Sequence, residues 1–88
     1  MRVRKLRDGD LLEVGDRIKV EHRGIGGTHW ETVVRVSKAY AFVRYNEHAE
    51  GKYRREYKDL YFEPLPRSAW KTTNYSAWRP VEQVEARG

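Results

Sequence analysis

The sequence predicts an all-β domain, a small barrel or sandwich of about five antiparallel strands with a short N-terminal helical turn. Three observations carry this. Apolar residues recur with a period of two rather than 3.6. The alternating runs are short, and turn-forming residues separate them every 8–12 positions or so. The chain also holds 11 aromatic residues among its 88, and rings and β-branched side chains are the groups that fill a pleated surface.

The elements follow in order. Residues 10–13, Asp-Leu-Leu-Glu, have the spacing of a capping box, in which two side chains satisfy each other's backbone donors, and they predict one helical turn. Residues 17–22 alternate Ile18 and Val20 with charged neighbours, a half-buried strand. Three glycines within residues 23–28 predict a reversal. Residues 29–36 form a second strand with Trp30, Thr32, Val34 and Val36 on one face. Residues 39–45 set Tyr40, Phe42 and Arg44 against Ala41, Val43 and Tyr45, and both faces are partly apolar, as in a central strand. After a polar connection the alternation resumes over 52–58, with Arg54, Glu56 and Lys58 on one side and Tyr53, Arg55 and Tyr57 on the other. Pro64 and Pro66 remove two ladder donors, so residues 59–66 read as an ordered loop. Residues 75–78 supply a closing strand that stops at Pro80, and residues 81–88 are a frayed tail or a short helix.

Composition narrows the function classes. Eighty-eight residues give one domain, with its core over about 12–80, and leave little interior for a catalytic cleft. With no cysteine there is neither a disulfide framework nor a thiolate zinc site. The basic start has no apolar run behind it and no stretch approaches the roughly 20 apolar residues of a membrane span, so a cytoplasmic, membrane-free protein is expected. Ser37, Ser68 and Ser76 lack any partner motif for nucleophilic chemistry. No enzyme activity and no cofactor are expected.

Charge is uneven. Residues 1–34 hold seven basic and six acidic side chains, whereas residues 35–80 hold ten and five. Ten of the 11 aromatics also fall between Tyr40 and Trp78, and residues 64–80 interleave Arg67, Lys71 and Arg79 with Trp70, Tyr75 and Trp78. The net charge of +5 suits a polyanion.

The run Leu12-Glu13-Val14-Gly15-Asp16-Arg17-Ile18-Lys19-Val20, a hydrophobe and a Gly-Asp turn before an alternating strand, resembles the opening of an SH3-like barrel of the KOW, Tudor or Agenet kind. Trp30 leading into Thr32-Val33-Val34-Arg35-Val36, then residues 40–45 and a closing Trp78-Arg79-Pro80, is similar to the Tudor and Agenet layout. The resemblance covers about residues 12–80 and implies a binding module without catalysis. KOW-type barrels often meet nucleic acid or ribosomes, and Tudor-type barrels often hold a peptide in an aromatic cage.

The residues themselves suggest a basic, aromatic face for nucleic acid. Phosphates would be met by cations among Arg44, Lys52, Arg54, Arg55, Lys58, Arg67, Lys71 and Arg79, and bases would stack on Tyr53, Trp70 or Trp78. Arg55, flanked by rings, is the sharpest of these candidates. The plainer reading of the same cations is a solvated face whose stems cover apolar surface. Trp30, Tyr45 and Tyr53 could surround a cation, although in so small a domain such rings more often form the core. His22, His29 and His48, with Glu21 and Glu31 nearby, offer zinc too few ligands and no spacing signature, so no metal is expected. Asp8, Asp10, Glu13 and Asp16 read as turn and cap residues. The alternative function, equally free of catalysis, is a protein-interaction module, an accessory or host-directed factor that uses its aromatic half as the interface.

Overall fold

The alternating segments become strands in the computed structural model, which describes residues 2–23, 26–47, 49–66 and 73–81. The chain is all-β: β1 (Val3–Lys5), β2 (Arg17–His22), β3 (Gly27–Val36), β4 (Tyr40–Asn46), β5 (Ala49–Arg54), β6 (Pro64–Leu65) and β7 (Thr73–Pro80). They form one antiparallel sheet in the order β1-β7-β2-β3-β4-β5-β6. Five expected strands are present, with β5 lying earlier than the 52–58 expected for it, and two short edge strands are added. Proline is tolerated in β6 because an edge strand has a side with no ladder to donate to. Among the described residues no helix is long and apolar enough to cross a membrane, and residues 67–72 and 82–88, which include Arg67, Trp70, Lys71 and the expected tail, lie outside the description.

The helical turn expected at residues 10–13 does not form; two β-turns of one design flank that position instead. In each, the fourth residue donates its backbone N–H to the first, Asp10 to Arg7 at 2.9 Å and Asp16 to Glu13 at 3.0 Å. The third residue is a glycine at positive φ, Gly9 at 94° and Gly15 at 99°, where a Cβ would be strained. The closing aspartate then accepts the N–H of the first residue through Oδ2, 2.8 Å in both turns. Asp10 and Glu13 thus have the letters of a capping box, but the glycines and the aspartates that follow them direct the backbone into turns.

Between the turns the chain pairs with the segment after β5. Tyr57 N–H donates to Asp10 O at 2.8 Å, Gly9 N–H to Tyr57 O at 3.0 Å and Leu12 N–H to Arg55 O at 2.8 Å, around a bridge between Leu11 and Glu56. The continuation of edge strand β1 is thereby bonded to the continuation of β5.

The core packs on one face of the sheet, where Ile18, Val20, Val33, Ala41, Val43, Tyr53 and Ala77 meet Leu6, Leu12, Tyr57 and Phe62 from the connecting segments. Phe62 sits between the Tyr53 and Tyr57 rings, with centroids 5.0 and 4.8 Å away. Truncating such a ring to alanine costs about 3–5 kcal/mol. The alternation expected over 53–57 holds, in that Tyr53 and Tyr57 are buried while Arg54 and Glu56 are exposed. In β3 it does not hold. A bulge between Val33 and Arg35 sends Val33 inward against Val43 and pairs Arg35 with Phe42, so Trp30, Thr32, Val34 and Val36 do not share a face.

Candidate functional site

Residues paired across antiparallel strands share a face. One outward row therefore runs Trp78–Arg17–Thr32–Arg44–Glu50 across β7, β2, β3, β4 and β5. Ser76–Lys19–Trp30 lies beside it, and Arg35–Phe42–Lys52 and Tyr40–Arg54 lie toward the other end. Among the described residues these rows bring together Arg17, Lys19, Arg35, Arg44, Lys52 and Arg54, against the carboxylates Glu21 and Glu50.

Three of these cations rest on rings. The Arg17 guanidinium lies 5.3 Å from the Trp30 centroid, Arg35 lies 3.8 Å from that of Phe42, and the Lys52 ammonium is 4.4 Å from that of Tyr40. Attraction between a cation and a ring face is worth about 0.5–1 kcal/mol at an exposed site, enough to orient the side chain without consuming its donors. Arg17 Nε is buried and has no hydrogen-bond acceptor among the described residues. Trp78 donates through Nε1 to Ser76 Oγ at 2.9 Å and meets Trp30 edge to face, centroids 6.5 Å apart, across β2.

The expected site residues divide. Lys52, Arg54, Arg44 and Trp78 stand on the outward face, although Arg44 is paired with Glu50 at 3.1 Å. Lys58 is exposed beyond the end of β5. Tyr53 is a correction: it is 1% exposed and offers no ring face to a base, because β5 turns it into the core. Arg55 and Arg79 are both bonded within the fold. Arg79 grips both oxygens of Asp16, Nε to Oδ1 and Nη2 to Oδ2 at 2.9 Å each, and also donates to Leu11 O at 2.8 Å. The Asp16 bonds hold its guanidinium more firmly protonated than usual. Arg55 donates through Nε to Leu12 O at 3.0 Å and reaches Ser37 O and Glu13. Trp70 and Lys71 lie outside the described residues. Arg17, Lys19, Trp30, Arg35, Tyr40 and Phe42 were not among the expected nucleic-acid contacts. The signal that finds them is the strand register, which puts alternate residues of β2 and β3 beside those of β4 and β5.

The inner face carries a second polar constellation. His22 and His29, brought together as the glycine reversal allows, lie with Nε2 and Nδ1 3.0 Å apart. His29 Nε2 is 3.0 Å from Glu31 Oε2, and the Tyr53 hydroxyl donates to Glu31 Oε1 at 2.8 Å. A carboxylate only accepts, so His29 donates from Nε2 to Glu31, and the direction of the His22–His29 bond follows the tautomer of the two rings. The chain borders a cavity of about 400 Å³ that Val20, Gly51, Pro64 and Tyr75 also line. Burial, then Glu31, pushes the Tyr53 hydroxyl far up from its ordinary pKa. Among the described residues no three His, Cys, Asp or Glu side chains are arranged to hold a metal ion, and His48 lies outside them. Trp30 and Tyr53 stand on opposite faces of the sheet, so they do not line one aromatic cage. Compared with known protein families, with characterised proteins and with solved structures, the chain matches none.

Proposed function

We propose that the chain is a cytoplasmic, non-enzymatic SH3-like barrel that contacts nucleic acid through the outward face of β7, β2, β3, β4 and β5. The backbone bonds between residues 9–12 and 55–57 support the barrel reading, because they join the continuations of β1 and β5. One observation carries the nucleic-acid reading. Arg17, Arg35 and Lys52 rest on rings and, among the described residues, have no carboxylate partner. Their charge is free to displace counterions from phosphates; Arg54 and Lys58 add to it, and Lys19 and Arg44, paired with Glu21 and Glu50, add less. Fluorescence anisotropy at low salt with single- and double-stranded DNA and RNA tests this. Binding that weakens steeply as salt rises is expected, and no binding to any of the four discards the reading.

A second reading, a protein-interaction module, draws on Leu60 and Tyr61, which are 86% and 74% exposed beside Lys58. Exposed aromatic and aliphatic groups of this kind anchor protein interfaces. A partner retained in a pull-down after nuclease treatment favours this reading; a partner lost on that treatment favours nucleic acid.

A further inference from the structure

We infer that the outward face takes unpaired nucleotides, with bases laid on Trp30, Phe42 and Tyr40 and phosphates drawn to the cations that now cover those rings. The inference rests on the nucleic-acid reading of that face and specifies the state of the ligand. The shape of the face is the first ground. The strands curl, since the Tyr53 ring of β5 meets the Tyr75 ring of β7 at 6.0 Å on the inner side, so the outward face is convex and offers no projecting element to a major groove that admits a helix or a two-stranded ribbon. No helix stands on this face among the described residues.

The chemistry of the face is the second ground. A duplex keeps its bases stacked and paired, so it can engage only the cations and would leave the rings unused. A single strand engages both, since every base has a flat face to stack and sequence matters little. The pairs Arg17–Trp30, Arg35–Phe42 and Lys52–Tyr40 are suited to an exchange. A phosphate attracts the cation away from its ring, and the ring face it leaves is covered by a base. Nothing else among the described residues competes for these three cations, whereas Arg55 and Arg79 are tied to the backbone and to carboxylates. Spacing gives a minimum length. Trp30 and Arg35 lie five residues apart on β3, which the bulge reduces to four ladder positions, about 13 Å at 3.3 Å a position, so a ligand that reaches both ring clusters spans several nucleotides.

The test uses the full chain and fluorescein-labelled 16-nucleotide single strands of DNA and of RNA, each also as its duplex, with anisotropy read over a salt series. Single strands are expected to bind at least ten-fold more tightly than duplexes, and the DNA and RNA arms show whether the 2′-hydroxyl contributes. Trp30→Leu keeps an apolar side chain but removes the stacking surface; it is expected to weaken single-strand binding five-fold or more and leave duplex binding within two-fold. Should Trp30→Leu fail to fold, Phe42→Leu reads the same quantity at the other cluster. Duplex binding as tight as or tighter than single-strand binding overturns the inference while leaving the nucleic-acid reading standing. Equal losses on both ligands for the leucine variants also overturn it, because the rings would then act only through the fold. No binding to any probe removes both.

Discussion

Arginine has two different tasks in the two halves of this molecule. Around residues 11–16, Arg55 and Arg79 hold a loop by its carbonyls and by the carboxylate of Asp16, which is 2% exposed. On the outward face, Arg17 and Arg35 lie on rings and meet no acid among the described residues. A carboxylate fixes a guanidinium in place and uses up its directed donors, whereas a ring orients it and leaves them available. The positions of acids and carbonyls around each arginine, more than the number of cations, separate the fold's share of the charge from the share offered to a partner.

The most severe way to break this contrast is Arg79→Ala, which leaves the Asp16 carboxylate buried without its cation. A loss of about 3 kcal/mol is expected, the low end for a broken buried pair because the Arg79 side chain stays 31% exposed. The shift in urea midpoint at constant m-value measures it. Arg55→Ala removes a charge-assisted bond to Leu12 O and a contact with Glu13, and a smaller loss of about 1–2 kcal/mol is expected in the same experiment. Arg17→Ala and Arg35→Ala should move stability by no more than about 1 kcal/mol. Each should lower the salt slope of single-strand binding by about 0.7. If Arg79→Ala changed the salt slope and Arg17→Ala the urea midpoint, the assignment of tasks would be reversed.

Lys5 stands between the two cases and gives the smallest effect. It lies 3.2 Å from Asp59, which is more than half exposed and also accepts from the Tyr57 hydroxyl. The Tyr57 bond and then Lys5 hold the Asp59 carboxyl below its ordinary value of 3.8. The pair therefore contributes stability that is present above pH 4 or so and fades as pH falls through the lower folded value. Asp59→Asn should be slightly less stable than the parent at pH 7, and the difference between their melting temperatures should shrink toward pH 2.5.

How far the sequence reveals this depends on the distance over which each feature is decided. The strand over 17–22 agrees with β2 to the residue because alternation and the preceding turn are local. β1 and β6 are three and two residues long and exist through β7 and β5, partners far away in the chain. In composition Arg79 looks like any other surface cation. Only a contact 63 residues away, with Asp16, makes it structural. Arg17 and Lys19 were legible as the polar side of a strand, but their company with Trp30 and Trp78 depends on β7 joining β2 and β3. Extra charge in residues 35–80 pointed to the later part, where four of the six cations of the face lie, but Arg17, Lys19 and Trp30 join them from the earlier part.

The bulge in β3 has one more consequence. Val34 is the odd letter in Thr32-Val33-Val34-Arg35-Val36, 40% exposed and sitting where the ladder slips. Losing one residue from a strand ordinarily turns everything after it inside out. Here a deletion of Val34 would leave Thr-Val-Arg-Val in strict alternation, each remaining side chain still on its present side, and would surrender only the added local coiling of the ribbon. Position 34 thus acts as a curvature dial, a place where evolution or an engineer can bend or flatten the surface without rewriting what it displays.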